Sequence, residues 1–210
     1  SPNNPTGTAL PLASAEAVLS AAAEHGGLVV VDEAYAEFRR TGTASALGLL
    51  AQHRNLIVTR TMSKAFAYAG ARVGYLVAEP AIVDAVRIVR LPYHLSAVTQ
   101  VVASVAIGHA DELLAQVETL RAERDATVEW LRAQGFTVAD SDANFVLFGR
   151  FDDRRVVWQG LLDRGVLVRE SGPPEWLRVS IGTAGEMAAF KAALLDVMNR
   201  RGATERKGMA

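Results

Sequence analysis

The sequence predicts an α/β chain: part of a large domain built on a parallel-rich sheet, followed by a smaller α+β domain. Three observations predict it. Two short apolar runs, at 28–31 and 56–58, are continuous rather than alternating, as expected of strands covered on both faces. A helical pattern lies between them, so strand, helix and strand follow in the order of a right-handed parallel crossover. After Leu91-Pro92-Tyr93 the pattern changes to long amphipathic helices mixed with short strands.

From the N-terminus, Ser1-Pro2-Asn3-Asn4-Pro5-Thr6-Gly7 is turn-rich. Such a segment normally follows a strand, so the chain is expected to begin in mid-domain, as a fragment lacking an N-terminal part. Ser14 is placed to cap a helix running to about His25, with Glu16 in its first turn and Gly26-Gly27 as the stop. The run at 28–31 is the first strand, 47–53 a helical segment and 55–59 the second strand. A strand at 75–78 and a helix at 80–89 complete the expected α/β layer over residues 1–93.

A small α+β domain is expected over 94–202. Val98, Val101, Val102 and Val105, spaced i, i+3, i+4, i+7, predict the apolar face of a long helix. Leu113, Val117, Leu120, Val128 and Leu131 continue a stripe to Gly135. Arg121, Arg124 and Arg132, with Glu118, Glu123 and Glu129 interspersed, read as its solvated face. Strands are expected at 136–138, 145–148, 166–169 and 177–181, with a helix at 155–163. Thr183-Ala184-Gly185-Glu186 is a capping box that opens a last helix to about Arg200. Residues 203–210 read as a frayed polar tail.

Composition narrows the function classes. The 210 residues are 50% apolar and 21% charged, with a formal net charge of −1, so nothing suggests bulk attraction to nucleic acid or an anionic membrane. The absence of cysteine excludes disulfides and thiolate metal sites and fits a cytoplasmic protein. No apolar stretch approaches the roughly 20 residues of a membrane helix. The nearest, 96–108, is interrupted by Thr99 and Gln100. The histidines show no metal-ligand spacing within a helix, and no metal site is expected.

The residues that could carry chemistry gather at the two strand ends. Lys64 follows the run at 56–58 and is set among small residues. Desolvation there would favour the neutral amine, the form that attacks carbonyls. Asp32 ends the first run, where α/β proteins place ligands, and could hold the proton of a pyridine nitrogen. A helix cap or surface carboxylate is the bland alternative. Tyr35 could reach a phenolic oxygen, or simply pack. Ser63 offers a hydroxyl and Arg72 a guanidinium fork to one phosphate, and Gly70 and Gly74 would let the backbone pass close to a ligand. A lysine, a carboxylate and a phosphate-binding pair suit pyridoxal phosphate. Asn4 could donate to its phenolate oxygen, or belong only to a turn.

These motifs resemble a known family. Thr61-Met62-Ser63-Lys64 with Gly70 and Arg72 resembles the pyridoxal phosphate attachment motif of the class II group of fold-type I aminotransferases. Ser1-Pro2-Asn3-Asn4-Pro5-Thr6-Gly7 and Asp32-Glu33-Ala34-Tyr35 resemble two further motifs of that family, in the same order. Within it, Val73-Gly74-Tyr75, Leu91-Pro92-Tyr93, Ser141-Asp142-Ala143-Asn144-Phe145 and Leu177-Arg178-Val179-Ser180-Ile181-Gly182-Thr183 are most similar to the branch that acts on histidinol phosphate. The resemblance covers nearly all of residues 1–200. Tyr68 and His94 depart from it.

The resemblance implies a role for each residue. Lys64 is the attachment lysine and proton carrier, and Asp32 pairs with the pyridine nitrogen. Asn4 and Tyr35 hold the phenolic oxygen, while Ser63 and Arg72 hold the phosphate. Arg178 grips the anionic group of the substrate and Arg169 assists, unless Arg169 forms only a strand-end salt bridge. It further implies a cytoplasmic homodimer that transaminates histidinol phosphate with 2-oxoglutarate, yielding imidazole acetol phosphate and glutamate, in histidine biosynthesis. An aromatic amino acid aminotransferase, a phospho-amino-acid decarboxylase and a non-catalytic regulatory module are the alternatives. In the family the N-terminal part supplies a phosphate-binding loop, a stacking ring and an arm over the substrate, so these 210 residues alone are expected to be inactive.

Overall fold

The computed structural model describes residues 1–208, with side chains as far as Arg200. The chain divides into two units, Ser1–Asn3 with Ala9–Glu118, and Asn4–Thr8 with Thr119–Ala210.

In the first unit, helix α1 (Leu12–Glu24) starts two residues before the expected Ser14 cap. The Pro11 carbonyl accepts from the Ser14 and Ala15 amides, and Leu12 packs on the core, which draws the first turn forward. Its stop is the expected one: Gly26 takes φ +65°, and the Gly27 amide returns to the Ala22 carbonyl at 2.8 Å. Strands β1 (Val29–Asp32), β2 (Leu56–Thr61) and β3 (Gly74–Ala78) form a sheet in the order β1-β2-β3. β1 and β2 are parallel, with Asp32 opposite Thr59, and β3 is antiparallel to β2, with Gly74 opposite Thr61. The core of this unit lies on one face of the sheet, where Ala15 and Leu19 of α1 and Leu49 meet Leu56 and Val58.

Several expectations change here. Both-face coverage holds for Leu56, Ile57 and Val58 at the sheet centre, but not for β1, where Val30 is 60% exposed. β1 is an edge strand among the described residues. The helix expected at 47–53 is only a 3₁₀ turn, Ala46–Leu49, capped by the Ser45 hydroxyl. Helix α2 (Pro80–Val89) begins at its proline, as expected. Helix α3 (Ala97–Gly108) is capped by Ser96, yet Val98, Val101 and Val105 are exposed and Ala103 is its buried residue. Apolar residues surround this helix, so spacing alone could not choose the packed side.

Helix α4 (Ala110–Ala133) contains the division between the units. In the second unit, β4 (Thr137–Val138), β5 (Phe145–Gly149) and β6 (Trp176–Ser180) form an antiparallel sheet in that order. Helices α5 (Arg154–Leu162) and α6 (Ala184–Gly208) complete it. Leu131, Phe148, Leu161, Leu177, Phe190 and Leu194 form its dry centre, where the Phe148 ring meets Phe136, Phe151 and Phe190 edge-on at 5.6 to 6.1 Å.

The expected strand at 166–169 is reduced to one bridge between Arg169 and Arg178, because Gly165 and Gly172 adopt φ of +76° and +85° on either side. The capping box forms: the Glu186 carboxylate accepts from the Thr183 amide at 2.7 Å, and the Glu186 amide donates to the Thr183 hydroxyl at 3.3 Å. α6 then continues past Arg200 through most of the expected tail, and residues 209–210 lie outside the described residues. Arg124 is the clearest correction. Assigned to a solvated face, it is 0% exposed, donating to Asp125 at 2.9 Å and the Ala143 carbonyl at 3.3 Å. It lies seven residues from both Val117 and Leu131, squarely in the buried stripe.

Candidate active site

In the first unit, the loop between β2 and β3 is closed upon itself. The Met62 amide donates to the Val73 carbonyl at 3.2 Å, and the Tyr68 amide to the Met62 carbonyl at 3.0 Å. Buried Met62 and Ala65 anchor it. Lys64 stands between these anchors, with its carbonyl accepting from Ala67 at 3.0 Å. Ala67 and Arg72 adopt φ of +52° and +54°. Left-handed backbone at non-glycine residues is uncommon and concentrates at ligand sites.

This loop and the end of β1 enclose an open cavity of about 450 Å³, lined among others by Asp32, Arg60, Thr61, Ser63, Lys64 and Arg72. The Asp32 carboxylate accepts from the Ala34 amide at 3.0 Å, which fixes the turn out of β1. Lys64 Nζ lies 5.7 Å from the centre of the Tyr35 ring. One unit thus brings together the Lys64 amine, the Asp32 carboxylate, the Ser63 hydroxyl and the Arg72 guanidinium. That donor set fits a ligand with an aldehyde, a basic ring nitrogen and a phosphate. The desolvation expected for Lys64 is not met: Lys64, Asp32 and Arg72 are exposed, because they sit at the open mouth of the cavity. Gly74 lines the cavity and also serves the sheet, since a Cβ there would meet the Arg60 carbonyl, and Gly70 faces open space.

Beside the cavity lies a network the sequence reading missed. Glu33 is 2% exposed. Its carboxylate accepts from Arg60 Nε at 2.9 Å and Nη2 at 2.6 Å, from Arg39 at 3.1 Å, from the Ser45 hydroxyl at 2.7 Å and from the Ala46 amide at 2.8 Å. Arg60 also donates to Glu37 at 2.9 Å. Burial alone would raise the Glu33 carboxyl. The Ser45 hydroxyl, the Ala46 amide and the two guanidinium groups outweigh it and hold the pKa below its usual value. The available signal was Arg60 itself, a charge at the end of an apolar strand, which needs a buried partner.

The second unit carries the other predicted residues. Arg178 donates from Nη1 to the Asn4 side-chain oxygen, and its guanidinium lies 4.6 Å over the Phe145 ring. Asn4 is held there by its own turn: the Gly7 carbonyl accepts from the Asp142 amide at 2.7 Å, and the Thr8 hydroxyl donates to the Asp140 carbonyl at 3.1 Å. Arg169 and Arg178 exchange backbone hydrogen bonds at 2.9 and 2.8 Å, so their side chains share one face. Like charges placed directly opposite are destabilising unless an anion lies between them. Among the described residues Arg169 forms no ion pair; the neighbouring Glu170 takes Arg154 and Arg155 instead. Those residues contain no group of three metal-ligating side chains and no helix long and apolar enough to cross a membrane.

Comparison with known proteins gives these residues a context. The family described as aminotransferase class I and II matches residues 1–194. The chain belongs to that family. Among curated aminotransferase relatives, it is 70% identical over 200 residues to a histidinol-phosphate aminotransferase of Thermobifida fusca, covering 95% of this chain and 54% of that protein. It is 66% identical over 198 residues to histidinol-phosphate aminotransferase 3 of Burkholderia lata, covering 94% and 53%. The chain therefore spans about half the length of the curated relatives it matches. Among solved aminotransferases, the Sinorhizobium meliloti histidinol-phosphate aminotransferase in complex with pyridoxal-5′-phosphate superposes with a TM-score of 0.80 at 28% identity, covering 95% of this chain and 56% of that one. An L-threonine-O-3-phosphate decarboxylase of Porphyromonas gingivalis shares the fold, with a TM-score of 0.79 at 19% identity over 94% of this chain and 62% of that one.

Proposed function

We propose that the intact protein is a pyridoxal-phosphate-dependent aminotransferase that moves the amino group of histidinol phosphate to 2-oxoglutarate, releasing imidazole acetol phosphate and glutamate. The carrying observation is the cavity that gathers Asp32, Ser63, Lys64 and Arg72. The substrate is supported by the name of the curated relatives, histidinol-phosphate aminotransferase, at 70 and 66% identity. When bound, pyridoxal phosphate supplies an electron sink for the pair left by a broken Cα–H bond. Ser63 and Arg72 would hold its phosphate, Asp32 the proton of its ring nitrogen, and Asn4 and Tyr35 its phenolic oxygen. Lys64 would attach it and, once released as a neutral amine, carry the proton away from substrate Cα. Arg178 and Arg169 would bind the phosphate end of the substrate.

We further infer a cytoplasmic homodimer, in which residues 1–93 belong to the large cofactor-binding domain and 94–202 form the small domain. An aromatic aminotransferase or a phospho-amino-acid decarboxylase is the second reading. The opposed pair Arg169 and Arg178 favours a dianionic substrate end over a phenyl ring.

Steady-state kinetics of the intact protein with histidinol phosphate, phenylalanine and threonine phosphate tests the substrate. Histidinol phosphate should be preferred, and Lys64→Ala should lower turnover by roughly 10²- to 10⁴-fold, the range of general acid–base catalysis. A preference for phenylalanine would reject the substrate assignment. The isolated 210-residue chain should show no turnover in the same assay, since its Lys64, Asp32 and Arg72 are open to water.

A further inference from the structure

A buried charge cluster in the first unit stands beside the cavity with no part in the chemistry above. Glu33, Glu37, Arg39 and Arg60 are gathered where β1 and β2 end. Desolvating four charges is costly, and packed apolar side chains would stabilise a fold as well or better. A bidentate guanidinium fork does supply fixed distance and fixed orientation.

Three segments meet at the Glu33 carboxylate. Asp32 immediately precedes it and Tyr35 follows two residues later, so the direction in which both leave β1 depends on Glu33. Arg60 precedes Lys64 by four residues and lines the cavity that Asp32, Ser63 and Lys64 line. Ser45 and Ala46 tie the connection between the strands to the same carboxylate. We propose that Glu33 is a positioning residue. Through Arg60, whose guanidinium donates to Glu33, Glu37 and Ser45, it holds the Asp32–Tyr35 turn and the Lys64 loop in one mutual geometry. This rests on reading the cavity as a pyridoxal phosphate site.

Glu33→Gln in the intact protein keeps the side-chain shape and removes the charge that Arg60 pairs with. The pyridoxal phosphate concentration for half-saturation should rise about tenfold or more, the scale of a lost charge-assisted hydrogen bond. The visible circular dichroism of the bound cofactor, which reports how the ring is held, should fall at temperatures where the far-ultraviolet spectrum remains native. A lower thermal midpoint with half-saturation and visible dichroism unchanged would make Glu33 a stabilising residue only and overturn the proposal.

Should that variant fail to fold, Ser45→Ala removes one donor and leaves all four charges. It should move the same two quantities in the same direction by less, and no movement would overturn the proposal. Arg60→Lys should recover only part of the affinity lost in Arg60→Met; full recovery would show that charge alone matters and reject the positioning role. A wild-type protein that binds no pyridoxal phosphate would overturn the functional reading itself, an outcome distinct from unchanged variants of a wild type that binds it.

Discussion

Arg72 pairs a guanidinium at the cavity mouth with a backbone at φ +54° and ψ +45°. An L-residue in that conformation costs roughly 1–2 kcal/mol, and neither Arg72 nor Ala67 is the glycine that would relieve it. The strain is intelligible if the side chain is needed where the turn places it. Arg72→Gly should therefore leave the urea midpoint of the intact protein unchanged or raise it by the equivalent of up to about 1 kcal/mol, after allowing for the entropy of glycine. Its half-saturation for pyridoxal phosphate should meanwhile rise at least about tenfold, as a charge-assisted contact to phosphate is lost. A variant that is less stable and binds the cofactor as well as wild type would remove Arg72 from the phosphate site.

At the scale of elements, the N-terminal turn shows how one glycine positions a side chain some 170 residues away in sequence. Gly7 takes φ +79°, and a Cβ added there would lie 2.9 Å from the Ser141 Cβ. That approach lets the Gly7 carbonyl accept from Asp142 and holds Asn4 against Arg178. Gly7→Ala is expected to cost about 1–3 kcal/mol in chemical denaturation, the range for backbone strain combined with a forced side-chain shift. It should also raise both KM for the phosphorylated substrate and the half-saturation for pyridoxal phosphate, because the defect reaches Arg178 through Asn4, the residue assigned to the phenolic oxygen of the cofactor. Equal stability in both proteins would show that the turn does not need its glycine.

For the molecule as a whole, acid stability is where the buried network should be visible. The Glu33 carboxyl has a folded pKa below its ordinary value of 4.5. A depressed carboxyl contributes stability that is present above the ordinary value and lost as pH falls through the folded one. Unfolding free energy of the intact protein should accordingly fall as the pH drops below about 4.5, and fall less steeply in Glu33→Gln. Glu186 and Asp196 are also held low, by Thr183 in one case and by Arg164 and Arg200 in the other. Both lie at the surface, and their part of the slope should persist in the variant. Identical slopes would mean that Glu33 carries no linkage.

The sequence by itself determined that Asp32 ends one strand and Lys64 follows another, the proline start of α2, the glycine stop of α1 and the capping box of α6. Each rests on a few adjacent residues whose backbone demands are local. It also determined the order of the motifs carrying Asn4, Asp32 and Lys64. Tertiary structure decided what depends on partners distant in the chain. Val101 is exposed although its spacing puts it on an apolar face, because a helical wheel shows which residues share a face and not what covers that face. Arg124 is buried because its place in the stripe outweighs its charge once Asp125 and the Ala143 carbonyl accept from it. The 166–169 segment became a single bridge because the left-handed turns at Gly165 and Gly172 leave only Arg169 beside Arg178. Glu33 became the hub of a charge network because Arg39, Ser45 and Arg60 converge on it only when β1 and β2 lie side by side. A carboxylate beside Asp32 looks like any surface acid until folding removes the water and leaves the guanidinium groups as its solvent.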